Sequence, residues 1–298
     1  MRDVRRCLLL DVSLPIPINY PIPFRNPMIN VLILRAPGTN CNIETGFAFE
    51  QAGGTVEQLH VNRLLENPSL FDKFQILCFP GGFSFGDDIA AGRILASKMQ
   101  NALSDALHKF RDDGKLILGI CNGFQILIKS GLILPIDDDG FQATLTWNNC
   151  HRFQDRWVRM VVDPKTPCVF TKGITDIEMP MAHAEGKFVA RDAQTLKRLA
   201  DNGQLALRYA PRLTSCPNYD INDLDAILPE PDNPNGAQAN AAGCCDETGR
   251  VFGLMPHPER YLKGVQNPQW TRRVGTDGFD PELGDGLKIF KNAIDFFA

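Results

Sequence analysis

From Val31 onward, short apolar runs alternate with longer segments whose apolar positions recur every three or four residues. That alternation is the mark of parallel strands joined by crossover helices. Residues 31–34 predict a first strand, 43–52 a helix stopped by Gly53-Gly54, 55–61 a second strand, and 75–79 a third strand stopped by Pro80-Gly81-Gly82. Met99, Leu103, Leu107 and Phe110 fall on one helical face and predict a single long helix closed by Asp113-Gly114. Residues 115–120 follow as a fourth strand. The second half is less regular, with strands expected at 157–162, 179–182 and 205–209. A proline- and aspartate-rich stretch at 211–235 reads as an inserted surface loop. Two further strand-like runs flank the turn Asp246-Glu247-Thr248-Gly249, the second covering 250–255. A final helix places Leu287, Phe290, Ile294 and Phe297 on one side, so it should dock onto the body. The expected fold class is α/β, with an open, mostly parallel sheet, flanking helices and one domain over 30–298.

The first residues do not fit this pattern. Arg2, Arg5 and Arg6 before Cys7-Leu8-Leu9-Leu10 imitate a secretory signal, but Asp11 interrupts the apolar run and Pro15, Pro17, Pro21 and Pro23 follow. Residues 1–29 therefore read as a disordered or mis-started extension, with Met28 a candidate start codon. No apolar run reaches the roughly 20 residues needed to span a bilayer, so a soluble chain with no membrane partner is expected. A formal net charge of -4 and the lack of a long basic run argue against nucleic acid as a partner. The 9 cysteines are odd in number, irregularly spaced and without a C-x-x-C, as in free thiols of a reducing cytoplasm. Cys244 and Cys245 read as strand residues. No histidine or cysteine spacing suggests a metal site.

One cysteine has a distinctive setting. The apolar run at 116–120 ends in Gly119-Ile120-Cys121-Asn122-Gly123 and then turns amphipathic. A side chain on a sharp strand-to-helix turn needs small flanking residues, and the helix N-terminus beyond it favours a thiolate. The plainer reading is a buried structural cysteine. Cys41 is a rival nucleophile, since it also follows a strand and a Pro-Gly turn, but it lacks the glycine bracket. A cysteine hydrolase needs an imidazole and a group to orient it. His60 and His108 lie inside predicted elements, and His151 in a polar turn. His257 stands between Pro256 and Pro258 at a strand end, with Glu259 two residues on, where an extended chain puts both side chains on one face.

Together, Gly119-Ile120-Cys121-Asn122-Gly123-Phe124-Gln125 and His257-Pro258-Glu259-Arg260 resemble the Cys-His-Glu triad of class I glutamine amidotransferases, whose sheet is flavodoxin-like. The match narrows with Ala36-Pro37-Gly38-Thr39-Asn40-Cys41, Pro80-Gly81-Gly82-Phe83-Ser84-Phe85-Gly86-Asp87 and Ala182-His183-Ala184-Glu185-Gly186. These are similar to motifs of the family of glutaminase subunits of phosphoribosylformylglycinamidine synthase. The resemblance spans roughly 30–297. Cys150, Asp155 and Ala184 depart from the family's pattern, and loop 211–235 is longer than that pattern expects.

The resemblance implies Cys121 as nucleophile, His257 as acid and base, and Glu259 as its orienting carboxylate. It also implies an oxyanion hole from the backbone N–H groups of Gly82 and Asn122, and glutamine contacts from Gln125, Asn148 and His183. Glutamine would be hydrolysed through a thioester, and ammonia passed to an ATP-dependent synthetase subunit that amidates formylglycinamide ribonucleotide in purine biosynthesis. With no Gly-x-x-x-x-Gly-Lys in the chain, ATP and magnesium would bind the synthetase, and no cofactor this chain. A small third subunit would complete the complex. Other readings remain at this point: an amidotransferase subunit serving a different synthetase, a hydrolase of γ-glutamyl peptides on the same scaffold, and a catalytically silent regulatory module of the same fold.

Overall fold

The apolar run at the start of the ordered pattern forms β1 (Asn30–Arg35), followed by α1 (Asn42–Gln51), β2 (Thr55–His60), the short α2 (Val61–Glu66) and β3 (Ile76–Phe79). The structure, a computed structural model, describes residues 28–212, 219–276 and 278–298. The predicted extension thus lies outside the described residues up to residue 27. The helix expected as one piece is two, α3 (Arg93–Ala102) and α4 (Ser104–Asp112), because Leu103 leaves helical geometry at φ -127° and ψ 7°. Met99, Leu103, Leu107 and Phe110 are nevertheless all buried. Periodicity reports which face is apolar and is blind to a one-residue break that preserves the face.

β4 (Leu116–Ile120), buried along its whole length, runs into α5 (Asn122–Ser130). Then come β5 (Ala143–Thr146), β6 (Gln154–Val162), β7 (Asp176–His183), β8 (Lys187–Ala190), α6 (Ala193–Asp201) and β9 (Leu207–Tyr209). β10 (Ala241–Cys245), β11 (Val251–Leu254), the one-turn α7 (Trp270–Arg273) and α8 (Asp285–Asp295) complete the described chain. β5 and β8, which pair as a separate antiparallel ribbon, had no signal in the sequence. At four residues each they are too short for alternation to stand out.

The main sheet has the order β2-β1-β3-β4-β11-β10-β9-β6-β7. It is parallel from β2 to β11 and antiparallel from β10 onward. The register of the parallel part positions the chemistry. Ile120 lies beside Leu254, and Gly119 beside Phe79. The chain leaving β11 therefore emerges next to the residue that follows β4, and the Pro-Gly-Gly turn after β3 on its other side. The turn after β1 opens at the same edge, the carboxyl ends of the strands, where open α/β sheets bind ligands.

α5 sits unusually close to the sheet. A Cβ on Gly123 would lie 1.9 Å from the Phe79 carbonyl oxygen, and one on Gly253 2.0 Å from the Phe124 ring. Gly123→Ala should therefore push α5 off the sheet and lower stability by about 3 kcal/mol, measured by denaturant unfolding. At the other end of the chain α8 docks as its periodicity demands. Leu287, Phe290 and Ile294 are buried, and the Phe290 ring meets that of Phe49 in α1 edge-on at 4.9 Å.

The segment expected as a surface loop is partly internal. Leu228, Asn233 and Asn235 are buried. Asn235 Nδ2 donates to the Gly186 carbonyl at 2.8 Å and to the Tyr209 hydroxyl at 3.2 Å, so the loop's end backs the turn after β7. Its polar composition pointed to solvent, but these amides satisfy buried backbone groups instead. Among the described residues no helix is long and apolar enough to cross a membrane.

Candidate active site

Cys121 occupies the turn between β4 and α5 with φ 52° and ψ -106°, a conformation that a non-glycine residue holds only under constraint. Its N–H donates to the Leu254 carbonyl at 2.8 Å and its carbonyl accepts from Phe124 N–H at 3.0 Å. The side chain is buried, and its thiol points at the Ala182 carbonyl, 3.7 Å away at the end of β7.

His257 is anchored by a bond from its N–H to the Pro180 carbonyl at 2.8 Å. Its Nδ1 lies 2.6 Å from Glu259 Oε1, with both side chains fully buried. The pair forms, although not on an extended chain as the sequence suggested. Pro258–Arg260 is one turn of 3₁₀ helix, and the turn brings the carboxylate back under the ring. A carboxylate on Nδ1 makes that nitrogen the donor and leaves Nε2, which makes no hydrogen bond among the described residues, to exchange protons with a neighbouring thiol. Burial pushes the imidazole pKa down. The Glu259 carboxylate, followed by the Cys121 and Cys41 thiols, outweighs it, so that the pKa lies well above the ordinary histidine value.

Among the described residues, the N–H groups of Asn122 and Gly82 each donate to no backbone or side-chain acceptor, which leaves both able to serve an oxyanion. Asn122 opens α5, where unpaired N–H groups are expected. Gly82 faces Thr39 across an isolated antiparallel bridge. The flanking bonds, Phe83 N–H to the Gly38 carbonyl and Cys41 N–H to the Gly81 carbonyl, turn its own N–H outward. With φ +140° and a hypothetical Cβ 2.7 Å from Asn40 N, this position admits only glycine.

Gln125 and His183 line the resulting cavity of about 430 Å³, and Asn148 does not. Gln125 is already engaged: its Oε1 accepts from Asn122 Nδ2 at 2.9 Å and its Nε2 donates to the Glu185 carbonyl at 2.5 Å. Asn148 is fully buried and donates from Nδ2 to the carbonyls of His183 and Arg152, while its Oδ1 accepts from Gly186 N–H and faces His183 Nδ1. It supports His183 from behind.

The rival thiol, Cys41, proves to be part of the same cavity. Its Sγ donates to Asn40 Oδ1 at 3.3 Å and accepts from Arg260 Nη2 at 3.4 Å. Cys41, His257 and Glu259 offer ligand atoms within 4.8 Å of one another, a grouping that no spacing announced because it joins two separate loops. Glu259 is committed to His257 there, and the Arg260 guanidinium against Cys41 opposes a cation.

Sequence reasoning also missed a half-buried acidic corner. Asp87 Oδ1 accepts from Asn122 Nδ2 at 3.0 Å and from Gly92 N–H at 3.3 Å, and burial raises its pKa. Glu185 Oε2 accepts from Ala91 N–H at 3.3 Å and lies 4.0 Å from Lys129 Nζ. Only the glycine-rich composition around Asp87 hinted at it. Asp155 and Ala184, both departures from the family pattern, line the cavity, and exposed Phe83, Trp147 and Phe153 rim its mouth.

A cysteine on a strained elbow, a buried imidazole–carboxylate pair and free N–H groups beside a cavity are the equipment expected of a cysteine acyl-transfer enzyme. Comparison with known proteins agrees. Residues 28–297 match the model of the CobB/CobQ-like glutamine amidotransferase domain. The chain is 45% identical over 266 residues to phosphoribosylformylglycinamidine synthase subunit PurQ of Dehalococcoides mccartyi, covering 89% of this chain and 96% of that protein. Against the subunit of the same name from Methanococcus maripaludis it is 40% identical, covering 90% and 97%. A chain of the solved PurLQS structure from Thermotoga maritima superposes with a TM-score of 0.64 at 27% identity, over 91% of this chain and all of that one. On its sequence, fold and site geometry, this chain belongs to the CobB/CobQ-like glutamine amidotransferase family.

Proposed function

We propose that this chain is the glutaminase subunit of a phosphoribosylformylglycinamidine synthase, releasing ammonia from glutamine for a synthetase subunit in purine biosynthesis. The observation that carries the reading is the convergence of Cys121, His257 and Gly82 on one cavity, with Glu259 bonded to His257 behind it and the Asn122 N–H next to Cys121. Cys121 attacks the side-chain amide carbon of glutamine, with its proton passing to His257 Nε2. The tetrahedral oxyanion takes hydrogen bonds from Gly82 and Asn122. His257 returns the proton to the amide nitrogen, ammonia leaves, and a γ-glutamyl thioester remains. Water, deprotonated by His257, hydrolyses the thioester to glutamate and regenerates the thiol. Glu259 holds the ring and stabilises the imidazolium at both steps. Gln125, supported by Asn122, contacts the substrate, and Asn148 contributes through His183.

ATP, magnesium and the ribonucleotide belong on the synthetase, with a small third subunit completing a cytoplasmic complex. The names of the relatives and the superposed PurLQS chain support this assignment of the acceptor. The test is reconstitution with a purified ammonia-dependent synthetase of this type. Glutamine should replace ammonia as nitrogen donor only when this chain is added. Glutamine hydrolysis with no gain in synthetase product would place the chain with a different acceptor.

A further inference from the structure

Asp155 and Ala182 face each other across β6 and β7, and both line the cavity. Side chains two residues apart in a strand point the same way, so the same face of this ladder continues through Trp157 opposite Pro180 to Arg159 opposite Glu178. Trp157, Arg159 and Glu178 line a second groove of about 390 Å³, which therefore starts about 7 Å along the strand from the lining of the first. Its other wall is the chain from Gly264 to Thr276, which carries Arg272 and Arg273 and no acidic residue. α7, within this wall, buries none of its residues. Trp270 is 37% exposed, Val274, one turn on, is 58% and Val265 is 39%. Polar bonds hold the segment to the sheet: Asn267 Nδ2 donates to Glu178 Oε2 at 3.3 Å, and Arg273 pairs with the same carboxylate. With its polar groups tied down and its tryptophan and valines uncovered, the segment presents an apolar patch to a partner.

The charge around the groove is positive, on a chain whose formal net charge is -4. The guanidinium groups of Arg159, Arg212, Arg272 and Arg273 stand there against the carboxylates of Asp176 and Glu178. Arg159 meets Asp176 and the Pro211 carbonyl, and Arg273 meets Glu178. A guanidinium has five N–H donors, so both keep donors to spare, and exposed Arg272 makes no ion pair among the described residues. We infer that this groove and α7 dock an acidic segment of the synthetase subunit, with Trp270 and Val274 as apolar anchors. The inference rests on the glutaminase-subunit reading and names the surface by which the partner is held. Carboxylates match guanidinium groups in charge and in fork geometry, and tryptophan and arginine are the residues that most often carry binding energy at interfaces. The position of the groove favours this occupant, since a protein that takes up ammonia at the cavity mouth is within reach of the face beside it.

The test titrates the whole chain against a purified ammonia-dependent synthetase and reads the concentration that half-saturates glutamine-dependent synthesis. Trp270→Ala should raise that concentration about 30-fold and Arg272→Glu about tenfold. Arg272→Lys, which keeps the charge, should stay within about threefold. Glutamine hydrolysis by the free chain should remain within about twofold in all three, because the altered side chains are exposed and lie outside the cavity. Raising salt from about 50 to about 200 mM should weaken coupling of the unaltered chain more than that of Arg272→Glu, which has already lost the attraction being screened. Unchanged half-saturation in Trp270→Ala and Arg272→Glu overturns the docking surface and leaves the glutaminase reading intact. A dimer of the unaltered chain that Trp270→Ala dissociates, seen by sedimentation with coupling unaffected, gives the surface to a second copy and overturns the inference as well. If the unaltered chain supports no glutamine-dependent synthesis, the partner is wrong and both readings fall.

Discussion

Cys121→Ala should lose glutamine hydrolysis by on the order of 10⁵-fold, because a covalent mechanism has no substitute for its nucleophile and retains only what binding and the oxyanion donors supply. Cys41→Ala should stay within about tenfold, since its thiol serves as a neighbour of Arg260 and His257 and lacks the elbow that presents Cys121. The contrast is informative because the two thiols share one cavity and both lie close enough to His257 to raise its pKa. Reactivity alone would not separate them. Both precede a helix, Cys41 α1 and Cys121 α5; what separates them is the strained elbow that presents Cys121 and the Asn122 N–H beside it. Initial rates of glutamate release for the two variants decide the matter, and a reversed order would make Cys41 the nucleophile.

The second large effect concerns the buried pair. Glu259→Gln keeps the shape of the side chain and removes its charge, and it should lower kcat by on the order of 10³-fold. Its signature is a change in the titration of His257. Burial pushes that imidazole pKa down, and the carboxylate more than offsets it. Without the carboxylate the burial effect remains, so the imidazolium should be lost at a lower pH than in the unaltered chain. Histidine titration by NMR reads this directly. An unchanged midpoint would mean that Glu259 does not hold His257 charged.

Much of this site was legible because its parts are local. The elbow is a strand, a bracketed cysteine and a helix start within ten residues, and His257 and Glu259 are neighbours in sequence. The Pro80-Gly81-Gly82 turn announced an unusual backbone. Parts assembled across the fold were not legible. The register of β4 against β11 joins Cys121 to His257, and an apolar run does not reveal its register. Asn148 was expected in the pocket and stands behind it, because its partners, His183 and Gly186, come from a distant turn. Cys41 looked like a competitor from its own surroundings and became a cavity wall once β1 was placed beside β3. The break at Leu103 and the buried end of the 211–235 segment were hidden for a related reason. Apolar periodicity and polar composition describe a residue's chemistry, not the partners a folded chain provides.

The central claim is that Cys121 forms the covalent bond to the substrate. A diazoketone analogue of glutamine, incubated with the chain and followed by peptide mapping in a mass spectrometer, tests it most directly. The account predicts a single adduct on Cys121, formed in step with loss of glutaminase activity and blocked by excess glutamine. An adduct on Cys41, or continued hydrolysis of glutamine by a chain fully modified at Cys121, would contradict it.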